Sequence, residues 1–112
     1  MSATRDIAMT QPEIDAFLQR SGHVVVGALD ADGWPVGTLA AASYANERLS
    51  VTFADSDSVA VALQRDPHLC CVWDEHVSYF EIRGVIVHGS LADDDTTVDV
   101  AKLISFDFGR LR

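Results

Sequence analysis

The chain has 112 residues, of which 48% are hydrophobic and 22% charged, the make-up of one globular domain and not of a disordered or collagen-like chain. Eight Lys and Arg stand against 17 Asp and Glu, a formal net charge of −9. A field of that sign repels phosphate backbones and anionic membranes, so neither nucleic acid nor membrane is an expected partner.

The segment Met1 to Met9 is polar, and the first apolar run, Val24 to Val26, is far too short to span a bilayer. No secretory signal is legible, and a cytoplasmic location is the expectation. Thr10-Gln11-Pro12-Glu13 opens a helix: Thr10 caps, Glu13 sits three residues on, and Pro12 falls in the first turn. Ile14, Phe17 and Leu18 form one apolar stripe, and Ser21-Gly22 ends the helix, with Gly22 suited to a left-handed cap.

From His23 to Leu29 the residues are β-branched and apolar, which reads as a strand. Asp30-Ala31-Asp32-Gly33-Trp34-Pro35 is a turn, Val36 to Tyr44 a second strand, and Ala45-Asn46-Glu47-Arg48 a second turn. Leu49, Val51 and Phe53 then alternate with Ser50, Thr52 and Ala54 in a third strand, completing an antiparallel meander. Asp55-Ser56-Asp57-Ser58 offers caps for a short helix carried by Val59, Ala60, Ala62 and Leu63 and stopped by Asp66-Pro67. Leu69 to Trp73 is a fourth strand and Tyr79 to Leu91 a fifth, with Gly84 and Gly89 as bulges or close approaches; a last strand lies within Val98 to Phe108. Cys70 and Cys71 are neighbours, which suits two small residues on opposite strand faces rather than a disulfide framework. Asp93-Asp94-Asp95 reads as a solvated turn. The order α-β-β-β-α-β-β-β, hairpin-connected with one helical crossover, suggests a small closed or half-closed barrel.

The ordered set of Asp30-Ala31-Asp32-Gly33-Trp34-Pro35, Leu63-Gln64-Arg65-Asp66-Pro67 and Ile82-Arg83-Gly84, behind a helix with Glu13-Ile14-Asp15-Ala16-Phe17-Leu18, resembles the pyridoxamine 5′-phosphate oxidase-like family, including its flavin and deazaflavin (F420) oxidoreductases. The resemblance runs from about Thr10 to Gly109. It implies a mainly β fold with two short helices, a six-stranded antiparallel split β-barrel over residues 1–112, and a homodimer. It also implies a cofactor groove between subunits, with FMN, or alternatively F420, as an oxidoreductase's cofactor acting on a small organic substrate. In the family the third strand and following helix carry hydroxyls and a Ser-x-Lys that bind phosphate with the help of helix N–H groups. Aligned on Leu63, the lysine falls at Val59 and its serine at Asp57, and Asp55 adds a second carboxylate.

Thr52, Ser56 and Ser58 remain as hydroxyl donors for a cofactor, and Arg83 and Arg110 are candidate guanidinium clamps. A local ion pair of Arg83 with Glu81 or a neighbouring strand is the plainer alternative. Arg65, Lys102 and Arg112 are the other cations near these elements. Trp34, Trp73, Tyr44 and Tyr79 suit either stacking on a flat ring or core and interface packing. His68, His76 and His88 are candidate iron ligands should haem be bound, as in some split-barrel relatives, but no pair has metal-site helical spacing. No Ser-His-Asp order, P-loop or Gly-x-Gly-x-x-Gly occurs, and no catalytic residue stands out. A cofactor-free barrel that binds a small ligand or serves as a structural dimer is the competing reading.

Overall fold

A computed structural model describes residues 7–76 and 81–111. Helix α1 spans Gln11–Arg20, and strands β1, β2 and β3 span His23–Leu29, Pro35–Ala45 and Arg48–Thr52. Helix α2 is Ser58–Arg65; β4, β5 and β6 are His68–His76, Ile82–Leu91 and Thr97–Asp107, followed by a 3-10 turn at Phe108–Leu111.

Helix α1 starts as its sequence dictates. Thr10 accepts from the Glu13 N–H and the Glu13 carboxylate accepts from the Thr10 N–H at 2.9 Å, a complete capping box. Its end differs from expectation. Ser21 closes the helix in an extended conformation, with its N–H on the Leu18 carbonyl and its hydroxyl on the Phe17 carbonyl, so Gly22 is not needed as a left-handed cap. Strand β3 also stops at Thr52, short of Phe53 and Ala54, because a turn at Asp55-Ser56, with Ser56 at φ 60°, redirects the chain into α2. The expected start of the fifth strand at Tyr79 lies outside the described residues.

The six strands form one antiparallel ring in the order β1-β2-β3-β6-β5-β4, and β4 closes it on β1 through Val25–Val72, Val26–Cys71 and Gly27–Cys70. Beta-strand alternation then sorts the side chains. Val24, Val26, Val51, Cys71, Trp73, Val85 and Val87 point inward and are buried, joined by Phe17 of α1 and Val59 and Leu63 of α2. Each such side chain contributes about 1.5–3 kcal/mol by leaving water. Helix α1 packs on β2, and α2 packs on β1 and β2.

Both singled-out glycines are required. A Cβ on Gly84 would stand 2.5 Å from the Phe106 ring and 2.5 Å from the Trp73 carbonyl oxygen. One on Gly89 would stand 2.2 Å from the Asp99 carbonyl oxygen, beside a register shift at His88/Gly89. Among the described residues no helix is long and apolar enough to cross a membrane.

Candidate functional site

The family resemblance puts the expected phosphate contact at the start of α2, where the geometry is set by Asp57. This residue is the N-cap: its Oδ1 accepts from the Val59 N–H at 2.8 Å and the Ala60 N–H at 3.3 Å. Its Oδ2 accepts from the Thr38 hydroxyl of β2 at 2.7 Å. The Thr38 hydroxyl, followed by the two backbone N–H groups, holds the carboxyl below the usual carboxylate range. Ser56 and Ser58 flank this cap along the chain, and Thr52 ends β3 five residues before it, all exposed. Val59, at the position of the family lysine, is buried in the core. A crevice beside Ser58 is lined by Asp30, Asp32 and Arg65. The Arg65 guanidinium donates to the carbonyls of Leu29, at 3.2 Å, and Asp30, at 2.6 Å. Two motifs that carry the family resemblance are thus in contact: Arg65 of Leu63-Gln64-Arg65-Asp66-Pro67 clasps the Asp30–Pro35 turn, which Gly33 makes possible at φ 83°.

Arg83 and Arg110 belong to a different assembly. Arg83 Nε lies 3.8 Å from Glu75 Oε1 on β4, the neighbouring-strand pairing weighed in the sequence, and Arg20 of α1 grips the same carboxylate at 3.0 Å while lying 5.0 Å over the Phe17 ring. Arg110 pairs with Glu13 of α1 and, at 3.9 Å, with the buried Asp107. The structure therefore sets Ser56 and Ser58 at the start of α2 and Thr52 at the end of β3, and gathers Arg83 and Arg110 with carboxylates of α1, β4 and β6.

A feature that sequence reading did not find lies on the outside of the barrel. Leu39, Val25, Val72, Ile86 and Ile104 are successive Cα partners across β2, β1, β4, β5 and β6. They alternate with the buried inward residues and so face outward. Leu39 is 66% exposed, Val25 49% and Ile104 39%. Only the register makes this row visible, since each strand contributes one residue. Neither β1 nor β2 contains an acidic residue, in a chain with 17. Beside the row, Gly27 and Gly37 leave the strands bare, and a recess of about 330 Å³ opens between Gly27, Leu29, Pro35, His68 and Cys70. His68 Nδ1 meets Asp66 at its rim, 2.7 Å away.

A second hollow of about 500 Å³ lies under α1, lined by Ile14, Leu18, Leu49, Val87, Leu103 and Tyr44. The Tyr44 hydroxyl donates to Asp15 at 2.8 Å. Trp73 is buried in the core and Trp34 is exposed at the first turn; Tyr79, Arg112 and the side chain of His76 lie outside the described residues. Burial pushes the Cys71 thiol up to about 12 and raises that of Cys70. Among the described residues no group of three or more His, Cys, Asp and Glu is placed to hold a metal ion.

The residues at the start of α2 do not fit the phosphate of FMN. The helix N–H groups such a phosphate would use are already bonded to Asp57, and the neighbouring carboxylates carry its own sign of charge. The apolar outer face has no such conflict with a flat ring.

No protein-family model and no curated protein matches the chain. Solved structures do. A conserved hypothetical protein from Mycobacterium tuberculosis superposes with a TM-score of 0.82 at 18% identity, over 99% of this chain and 92% of that one. The FAD binding protein from Mycobacterium smegmatis gives 0.70 at 13% identity, over 88% and 94%. A protein named F420 reductase gives 0.61 at 12% identity, over 83% and 90%. The chain has the fold of the pyridoxamine 5′-phosphate oxidase-like split β-barrels.

Proposed function

We propose that the protein is a homodimeric oxidoreductase that holds a flavin- or deazaflavin-type ring in the groove between two copies and acts there on a small organic substrate. The observation that carries this reading is the outward apolar row from Leu39 through Val25, Val72 and Ile86 to Ile104. Contiguous exposed apolar surface of this kind marks an interface. A second copy laid on the row also walls in the recess at Gly27 and Cys70, giving a flat ring two apolar sides. The fold supports the choice of ring, since the neighbours include a FAD binding protein and a protein named F420 reductase. Fold-level analogy alone sets the reaction class. The test is a fluorescence titration of the purified protein with riboflavin, FAD and F420. Binding of at least one ring in the micromolar range, about 8 kcal/mol, is expected. No quenching of any of them at about 100 μM, where binding weaker than roughly 5.5 kcal/mol begins to be missed, overturns the reading.

One observation favours a second reading, a cofactor-free ligand-binding dimer. The hollow of about 500 Å³ under α1 is within the size range of small-molecule sites, and its walls combine apolar residues and the Tyr44 ring with Gln11, Glu47, Arg48 and Asp99. A ligand there would be found by native mass spectrometry of protein that binds none of the three rings.

A further inference from the structure

We infer that Asp57 is a built-in occupant of the phosphate position, so that this barrel selects against ring ligands ending in a phosphate monoester and takes FMN no better than riboflavin. The selection deepens the flavin-type reading above, but the exclusion of anions from α2 stands on Asp57 itself. Three observations support it. First, the Val59 and Ala60 N–H groups, which an anion at this terminus would need, already end on Asp57 Oδ1. Second, the carboxylate cannot swing aside freely, because its other oxygen takes the hydroxyl of half-buried Thr38 at 2.7 Å. Moving it would leave a hydroxyl and two N–H groups without their partner at once.

Third, the charges around the cap are of the wrong sign. Asp55 lies two residues before Asp57, and Asp30 and Asp32 line the crevice that Ser58 shares. Arg65, the cation of that crevice, has its guanidinium on the Leu29 and Asp30 carbonyls. Val59 is buried where a cationic side chain would be needed. Ser56 and Ser58 therefore flank a carboxylate of the chain itself rather than a ligand's phosphate.

The experiment uses the full chain, labelled with nitrogen-15, and the Asp57→Ser and Asp57→Asn proteins. Inorganic phosphate is titrated into the millimolar range while the Val59 and Ala60 amide resonances are followed. No saturable shift is expected in the native chain. A saturable shift is expected once the carboxylate is gone, in Asp57→Ser or, if that protein does not fold, in Asp57→Asn, which keeps a capping oxygen without the charge. Saturable shifts in the native chain overturn the inference. Shifts absent from the native chain and from both variants also overturn it, since something other than Asp57 would then exclude the anion. In parallel, riboflavin and FMN are compared. The native chain is expected to show no preference for FMN, and Asp57→Ser to gain about tenfold, or 1.4 kcal/mol. A native preference for FMN of that size overturns the inference. Failure of both rings to bind any of the proteins counts against the flavin-type reading, and the phosphate titration still decides the role of Asp57.

Discussion

The hydroxyl of Thr38 on β2 donates to Asp57 at the start of α2 across 2.7 Å, tying the crossover helix to the sheet it covers. The pair has a consequence for stability against pH. The folded Asp57 carboxyl lies below its ordinary value, chiefly because of Thr38, so its contribution is complete above the usual carboxylate range and is lost as pH falls through the folded value. Thr38→Val keeps a β-branched strand residue and removes the donor. It is expected to cost about 1.5–3 kcal/mol near neutrality, as for a hydrogen bond to a charged group. The loss is expected to begin narrowing as pH falls below the ordinary carboxylate value of about 4 and to vanish below the lower folded value, where the carboxyl is protonated. Urea midpoints measured from neutral to acid pH check this; a Thr38→Val deficit that does not shrink on acidification contradicts it.

The outer row predicts where the dimer comes apart. Leu39 is 66% exposed in the single chain, so Leu39→Asp does not disturb the barrel core, but it places a charge, and its copy, inside the proposed interface. Sedimentation is expected to give twice 12.2 kDa for the native chain and 12.2 kDa for Leu39→Asp, with an unchanged circular dichroism spectrum. A native mass of 12.2 kDa contradicts the dimer.

How much of this was legible in the sequence follows from which interactions are local. The Thr10–Glu13 box, the Asp-Gly turn and the capping use of the Asp55–Ser58 stretch involve residues within a few positions of each other, and all are found as read. The destination of Arg110 was not legible, and for Arg83 a neighbouring-strand pairing was legible but not Glu75 as its partner. Glu13 is 97 positions from Arg110, and Glu75 meets Arg83 only through the β4–β5 register. The apolar row has the same character: Val25 and Val72 become neighbours only when β4 closes the ring on β1. The left-handed cap expected at Gly22 fails because the Ser21 hydroxyl satisfies the Phe17 carbonyl and makes that conformation unnecessary.

Gly84 is expected to tolerate no side chain. An added methyl would sit 2.5 Å from the Phe106 ring and from the Trp73 carbonyl, and the latter is backbone held in the β4–β5 ladder. Gly84→Ala is expected to lose about 1–3 kcal/mol or more through overpacking. A denaturation midpoint equal to that of the native chain contradicts the register assigned to Trp73, Gly84 and Phe106.

Tyr44 is expected to titrate late. Burial, followed by its bond to Asp15, raises its phenol to about 12. The folded state therefore favours the neutral phenol, and the associated stability is present below the ordinary tyrosine value near 10 and is lost as pH rises toward the folded value. An ultraviolet titration of the native chain is expected to show a late phenolate step that is missing from Tyr44→Phe. A single step at the ordinary value in both proteins contradicts the Tyr44–Asp15 bond.

A ring site between two copies is decided by a sedimentation run of protein with bound riboflavin, FAD or F420, followed at once in the protein absorbance and in the visible band of the ring. Ring absorbance is expected to travel with a species of twice 12.2 kDa and to be released when Leu39→Asp yields the single chain. Ring absorbance that stays with a 12.2 kDa species, or that never sediments with the protein, contradicts a ring site built between two copies.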